Sequence, residues 1–140
     1  MKSKKTIEEI KDDLDFCKQY WVVIYGSYIT EYFIPNRSDI DIAVITREKE
    51  KKKNLEISYS LLGKGSSIYD IRIIEFMPLY IKIEIINHHQ VLFGDPLEIS
   101  ECFYEFRKIW SDMKYRIRDN QFESIEEKKK LMKNRHIFLQ

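Results

Sequence analysis

Long apolar runs are missing from this chain, and the residues that break or staple one are few. Among 140 residues there are four glycines, three prolines and two cysteines. So little glycine and proline excludes a collagen-like repeat and a low-complexity linker. Cys17 and Cys102 lie far apart and form no Cys-x-x-Cys pair. That argues against a disulfide scaffold or a cysteine-rich zinc site and leads us to expect a reducing, cytoplasmic setting. Charges interrupt every apolar stretch well before the roughly 18 residues a membrane-spanning helix needs, so no membrane association is expected. The basic start Met1-Lys2-Ser3-Lys4-Lys5 runs into Thr6-Ile7-Glu8-Glu9 rather than an apolar segment, which excludes a secretory signal.

What the chain does have is material for one ordinary core: 44% of its residues are hydrophobic and 34% charged. Lys plus Arg number 24 against 23 Asp plus Glu, a net charge of +1 that hides an asymmetry. Residues 1–106 carry 14 basic and 18 acidic side chains, whereas 107–140 carry 10 and 5. A basic end contacts nucleic acid or an acidic partner, or forms a solvated helix face, which is the commoner outcome. We divide the chain into a domain over 1–118 and a basic C-terminal helical tail over 119–140.

Thr6-x-x-Glu9 is a capping box, and Ile7, Ile10, Leu14 and Cys17 follow at helical spacing, which predicts a helix over about 6–18. Tyr20 to Tyr25 is a continuous apolar run ended by Gly26, the pattern of a buried central strand. Ile40 to Ile45 predicts a second strand, 47–62 a surface helix closed by Gly63, and Ile68 to Phe76 a third strand. The segment opened by Pro78 alternates like a strand yet begins like a helix, and we read it as a helix. Val91 to Phe93 is a short strand before the Gly94-Asp95-Pro96 turn. Apolar residues from Ile99 through Phe103, Phe106, Trp110 and Ile117 then repeat at three and four, a long amphipathic helix to about 118. A further, mostly charged helix is expected over 122–133. The class is α/β (α+β), a small mixed sheet flanked by helices.

The segment that carries chemistry is Gly26-Ser27 followed by Ser38-Asp39-Ile40-Asp41. Asp39 and Asp41, one residue apart on a strand, share a face. Two adjacent carboxylates repel unless a cation lies between them, and a hard divalent ion such as Mg²⁺ suits oxygen ligands. A Gly-Ser turn opening a helix offers backbone N–H groups, a hydroxyl and a favourable dipole to a phosphate. Ser27 is also an ordinary N-cap residue. Two-metal nucleotidyl transfer usually needs a third carboxylate, for which Asp70 ranks first and Glu75 and Glu84 lower. Arg37 and Lys64 could each neutralise triphosphate charge or simply face solvent. Gly63-Lys64-Gly65-Ser66-Ser67 lacks phosphate-loop spacing and reads as a helix C-cap and loop. His88-His89 has no partner at zinc-ligand spacing and reads as a polar helix end.

Taken together, Gly26-Ser27, Asp39-Ile40-Asp41 and Asp70 resemble the signature of the DNA polymerase β-type nucleotidyltransferase superfamily. The small size and the stretch Asp70 to Leu79 resemble more narrowly the minimal nucleotidyltransferases, the MntA-like antitoxins of HEPN/MNT modules, over about residues 6–118. The resemblance implies the polymerase β-type fold, with ATP as substrate and two Mg²⁺ ions. It further implies transfer of AMP to a hydroxyl, with a tyrosine of a HEPN-family toxin as acceptor. On it, Asp39 and Asp41 bind both metals and the triphosphate, Asp70 completes the second metal site and activates the acceptor, and Gly26, Ser27 and Arg37 contact nucleotide. Two other outcomes stay open: a non-catalytic antitoxin acting by stoichiometric contact, and nucleotidyl transfer to RNA or a small molecule.

Overall fold

A computed structural model describes residues 4–35 and 37–135, with side chains to residue 116. Eight main elements follow the chain: α1 (Ile7–Asp13), β1 (Trp21–Tyr25), β2 (Ile40–Ile45), α2 (Lys51–Leu61), β3 (Tyr69–Ile73), α3 (Leu79–Asn87), β4 (His89–Phe93) and α4 (Pro96–Arg135). The strands form one mixed sheet in the order β3-β2-β1-β4. β1 is antiparallel to both β2 and β4, whereas β2 and β3 run parallel.

β1 and β2 present alternate residues to two cores. On one face Val22, Ile24, Ile40, Ile42 and Val44 pack with Ile10, Leu14 and Cys17 and with Leu61 at the end of α2. On the other, Val23, Ala43 and Ile45 meet Ile83, Ile86, Ile99 and Phe103 of α3 and α4. A bulge between Val22 and Val23 shifts the pairing with β4, so Leu92 and Phe93 pack toward the first core and Val91 toward the second.

The expected elements are present, with shorter or displaced boundaries that have local causes. The Thr6 hydroxyl accepts the Glu9 N–H at 3.2 Å and caps α1, but the α-helix ends at Asp13 and tightens into a 3₁₀ turn over Asp15–Cys17. That turn brings residues three apart onto one line, so Leu14 and Cys17 both face the sheet. α2 begins at Lys51, not 47, because the preceding segment is tied down elsewhere. The Glu75 carboxylate accepts the N–H groups of Thr46 and Arg47 at 3.1 and 3.0 Å, and buried Asn54 donates to the Glu48 carbonyl at 2.9 Å. β3 stops at Ile73, where a 3₁₀ turn swings Ile74 into the second core. α4 continues over 40 residues as one helix, where two were expected. Residues 136–140, the end of the predicted basic tail, lie outside the described residues.

Candidate active site

Where the second face reaches the start of β2, helices no longer cover it. Pairing lines up a row across the sheet there: His89 opposite Tyr25, Tyr25 opposite Asp41, Asp41 opposite Asp70. The parallel register sets Asp70, the first-ranked third carboxylate, level with Asp41. Asp39 precedes the strand and is exposed. Burial first, then the charges of Asp70 and Asp39, hold the Asp41 carboxyl above the usual range, and Arg72 opposes them. Burial first, then Asp41, push the Tyr25 phenol up to about 12, so it is a neutral hydroxyl at physiological pH.

Gly26 stands where only glycine fits. Its φ is +73°, and a Cβ there would lie 2.2 Å from Asp41 Oδ2. The missing side chain is therefore what lets the carboxylate approach the turn. Ser27 follows in a 3₁₀ turn over Gly26–Ile29, and its carbonyl accepts the Thr30 N–H at 3.0 Å and the Thr30 hydroxyl at 2.8 Å. The expected helix N-terminus is thus only a four-residue turn. Its macrodipole is correspondingly small, and any phosphate contact would rest on individual N–H groups and the hydroxyl.

Arg37 is exposed, in the loop just before Asp39. It lines a cleft of about 470 Å³ with Lys4, Lys5, Ser38, Asp39 and Ser67. Glu75 and Glu84 are excluded as equals of Asp70: the first binds backbone amides near the other end of β2, and the second is exposed on α3. Gly63 caps the end of α2 with φ +76°, as a C-cap requires. His89 begins β4 instead of ending a helix. Its Nδ1 lies 3.0 and 2.9 Å from the Ile85 and Ile86 carbonyls, and its ring meets Phe103 edge-on.

Two residues escaped sequence reasoning. Arg72, two positions after Asp70 and on the same face, grips that carboxylate with Nε on Oδ1 and Nη2 on Oδ2, both at 3.2 Å. Strand alternation was the available signal for it. Tyr25 enters through its register with Asp41, which pairing alone reveals. The oxygen-only donor set of Asp39, Asp41 and Asp70 suits a hard divalent cation, which would offset the neighbouring negative charges that, after burial, raise the Asp41 carboxyl. Among the described residues no three such groups converge to metal-holding distance as they stand. Arg72 meanwhile engages both Asp70 oxygens.

The comparisons with known proteins agree with this architecture. Residues 5–96 match the family model described as Polymerase beta, Nucleotidyltransferase. A Methanocaldococcus jannaschii protein named "Putative protein adenylyltransferase" is 51% identical over 111 residues, 79% of this chain and 85% of its own length. The chain belongs to the polymerase β nucleotidyltransferase family and is a nucleotidyltransferase. Its fold is shared with crystal structures of toxin-antitoxin complexes. One, with AMP-PNP, superposes with a TM-score of 0.61 at 15% identity, over 82% of this chain and 97% of that one. Another, a tri-AMPylated Shewanella oneidensis HEPN toxin in complex with its MNT antitoxin, gives 0.58 at 12% identity, over 86% and 98%. Among the described residues no helix is long and apolar enough to cross a membrane.

Proposed function

We propose that this chain transfers AMP from ATP to a tyrosine hydroxyl of a HEPN-type toxin and so acts in the cytoplasm as an antitoxin by protein adenylylation. The observation that carries the reading is the in-register Asp41–Asp70 pair under Gly26, in a chain of this family. In this reading residues 1–118 form the catalytic domain and 119–140 a basic tail.

Asp39 and Asp41 would hold two Mg²⁺ ions with the triphosphate, and Asp70 would complete the second site. When bound, the ions supply Lewis-acid stabilisation of the charge that develops around the α-phosphorus. Gly26 and Ser27 present turn N–H groups and a hydroxyl to the terminal phosphates, and Arg37 approaches from the neighbouring cleft. Asp70 takes the proton of the acceptor hydroxyl as that oxygen attacks in line and pyrophosphate leaves. Arg72 positions the Asp70 carboxylate through its two-point contact. Tyr25 stays neutral beneath Asp41 and walls the site on the β4 side.

The test incubates α-labelled ATP and Mg²⁺ with source-cell lysate and either the wild-type chain or Asp41→Asn. Label on one protein band, on tyrosine, with wild type alone is the expected result. Label on RNA or a small molecule, or no label despite bound ATP, overturns it.

A further inference from the structure

The sheet ends at β3, and among the described residues no further strand pairs with its outer side. Its backbone polarity follows from the register. Ile40 donates its N–H to the Ile68 carbonyl at 2.8 Å, and Ile40 pairs with Tyr69, so Asp70 and Arg72 direct their backbone groups inward to β2. Ile71 and Ile73 therefore turn their N–H and C=O groups outward, where no strand pairs with them. Beside this edge, on the α2 face, runs a groove of about 220 Å³ lined by Leu61, Leu62, Gly65, Tyr69, Ile71 and Ile73 and reaching Asp70. Leu62, which lines it, is 68% exposed.

We infer that the acceptor protein binds by adding an extended segment to the outer edge of β3, with the acceptor tyrosine opposite Asp70. The inference rests on the reading of the chain as a protein adenylyltransferase and names how that acceptor is held. A row of alternating outward N–H and C=O groups is matched in spacing by another extended polypeptide, which RNA and small metabolites do not supply. Strand geometry then fixes which side chain goes where. A residue opposite Asp70 points to the same face as Asp70, with Cβ atoms about 5 Å apart. Its two neighbours point to the opposite face, into the groove beside Leu61 and Leu62, so they should be apolar. The tyrosine oxygen then forms its bond to the α-phosphorus, the bond from that phosphorus to the bridging oxygen breaks, pyrophosphate carries away the electron pair, and Asp70 receives the proton.

Ile71→Pro removes one outward N–H and leaves the inward bonds of Asp70 and Arg72 in place, because proline is tolerated at an edge strand's free side. Ile71→Ala is its control for the lost side chain. Both are compared with wild type for transfer from α-labelled ATP to source-cell protein and to a synthetic peptide with Val-Tyr-Val flanked by alternating threonines. Binding of a fluorescent ATP analogue is followed in parallel. The expected result is protein or peptide labelling at least about ten-fold lower for Ile71→Pro than for Ile71→Ala, with equal nucleotide affinity. Equal labelling by the two variants overturns the inference and leaves protein adenylylation standing. If wild type labels RNA or nothing, the underlying reading fails and this one with it. Should Ile71→Pro not fold, wild type is tested with peptides N-methylated at one or the other set of alternate amides. Loss of labelling with one set only supports strand addition, and equal behaviour of the two sets overturns it.

Discussion

Along β2 the two faces of one strand are put to different uses. Ile40, Ile42 and Val44 point to the face under α1 and α2, and all three are buried along the strand's whole length. Asp41, Ala43 and Ile45 point to the other, where the α3 and α4 core takes in only the last two. The closed face therefore carries stability without interruption, while the open face gives up one end of its core to a half-buried carboxylate that has Asp70 beside it and Asp39 nearby. A single residue of register decides between them, because side chains along a strand alternate. The site costs the fold something on one face, and the other face offsets it.

The sharpest way to break this comparison is a pair of variants one residue apart. Asp41→Asn should lower adenylyl transfer on the order of 10³-fold, yet leave the melting temperature at neutral pH equal to wild type or above it. The amide removes a charge that burial and two neighbouring carboxylates disfavour. Ile42→Ala should do the reverse, destabilising by about 3 kcal/mol through a cavity in a fully buried position while sparing the chemistry of the folded fraction. Label transfer and thermal melts on the same preparations check both. If Asp41→Asn melts well below wild type, the open face does not store the repulsion argued here.

Gly26→Ala joins the two kinds of effect at intermediate size. The left-handed backbone costs an alanine about 1 kcal/mol, and its methyl group must also push Asp41 Oδ2 from 2.2 Å to contact distance. We expect a melting temperature lower by roughly 3–8 °C and transfer lost more steeply than stability. Asp41→Asn in the same background should add little further loss of transfer, since the two changes disturb one contact.

Much of this arrangement was legible in the residues. β2 runs from Ile40 to Ile45 as its apolar run predicts, and Asp70, ranked first among the candidate third carboxylates, falls opposite Asp41. What was not legible has physical reasons. The Gly26-Ser27 turn stays 3₁₀ because Tyr28 is drawn into the first core, where its hydroxyl donates to the Lys5 carbonyl, a contact 23 residues away in sequence. The late start of α2 depends on Glu75 reaching back to the amides of Thr46 and Arg47, again a tertiary contact. The position of Arg37 in a cleft with Lys4, Lys5 and Asp39, and the grip of Arg72 on Asp70, both depend on where loops and edges meet. Periodicity says nothing of that.

The smallest expected effect separates the two faces by the sign of their response to acid. On the closed side, Lys5 lies 2.6 Å from Asp13, and Tyr69 donates to the same carboxylate. First the Lys5 contact and then that of Tyr69 hold the Asp13 carboxyl below the usual 3.8. An aspartate lowered in the folded state contributes stability above its unfolded value, and that contribution is lost as pH falls toward the folded one. Asp41 is raised instead, so protonation favours the folded state, and its penalty at neutral pH disappears as pH falls through its folded value. Melting temperatures between about pH 3 and 7 should therefore show opposite changes. Asp13→Asn removes a loss on acidification, and Asp41→Asn removes a gain. Both slopes will be shallow, because the Lys5–Asp13 pair is about one-third exposed and screened by salt. Two variants that bend the acid limb in the same direction would mean that these carboxylates share one environment and that the division between the faces is not electrostatic.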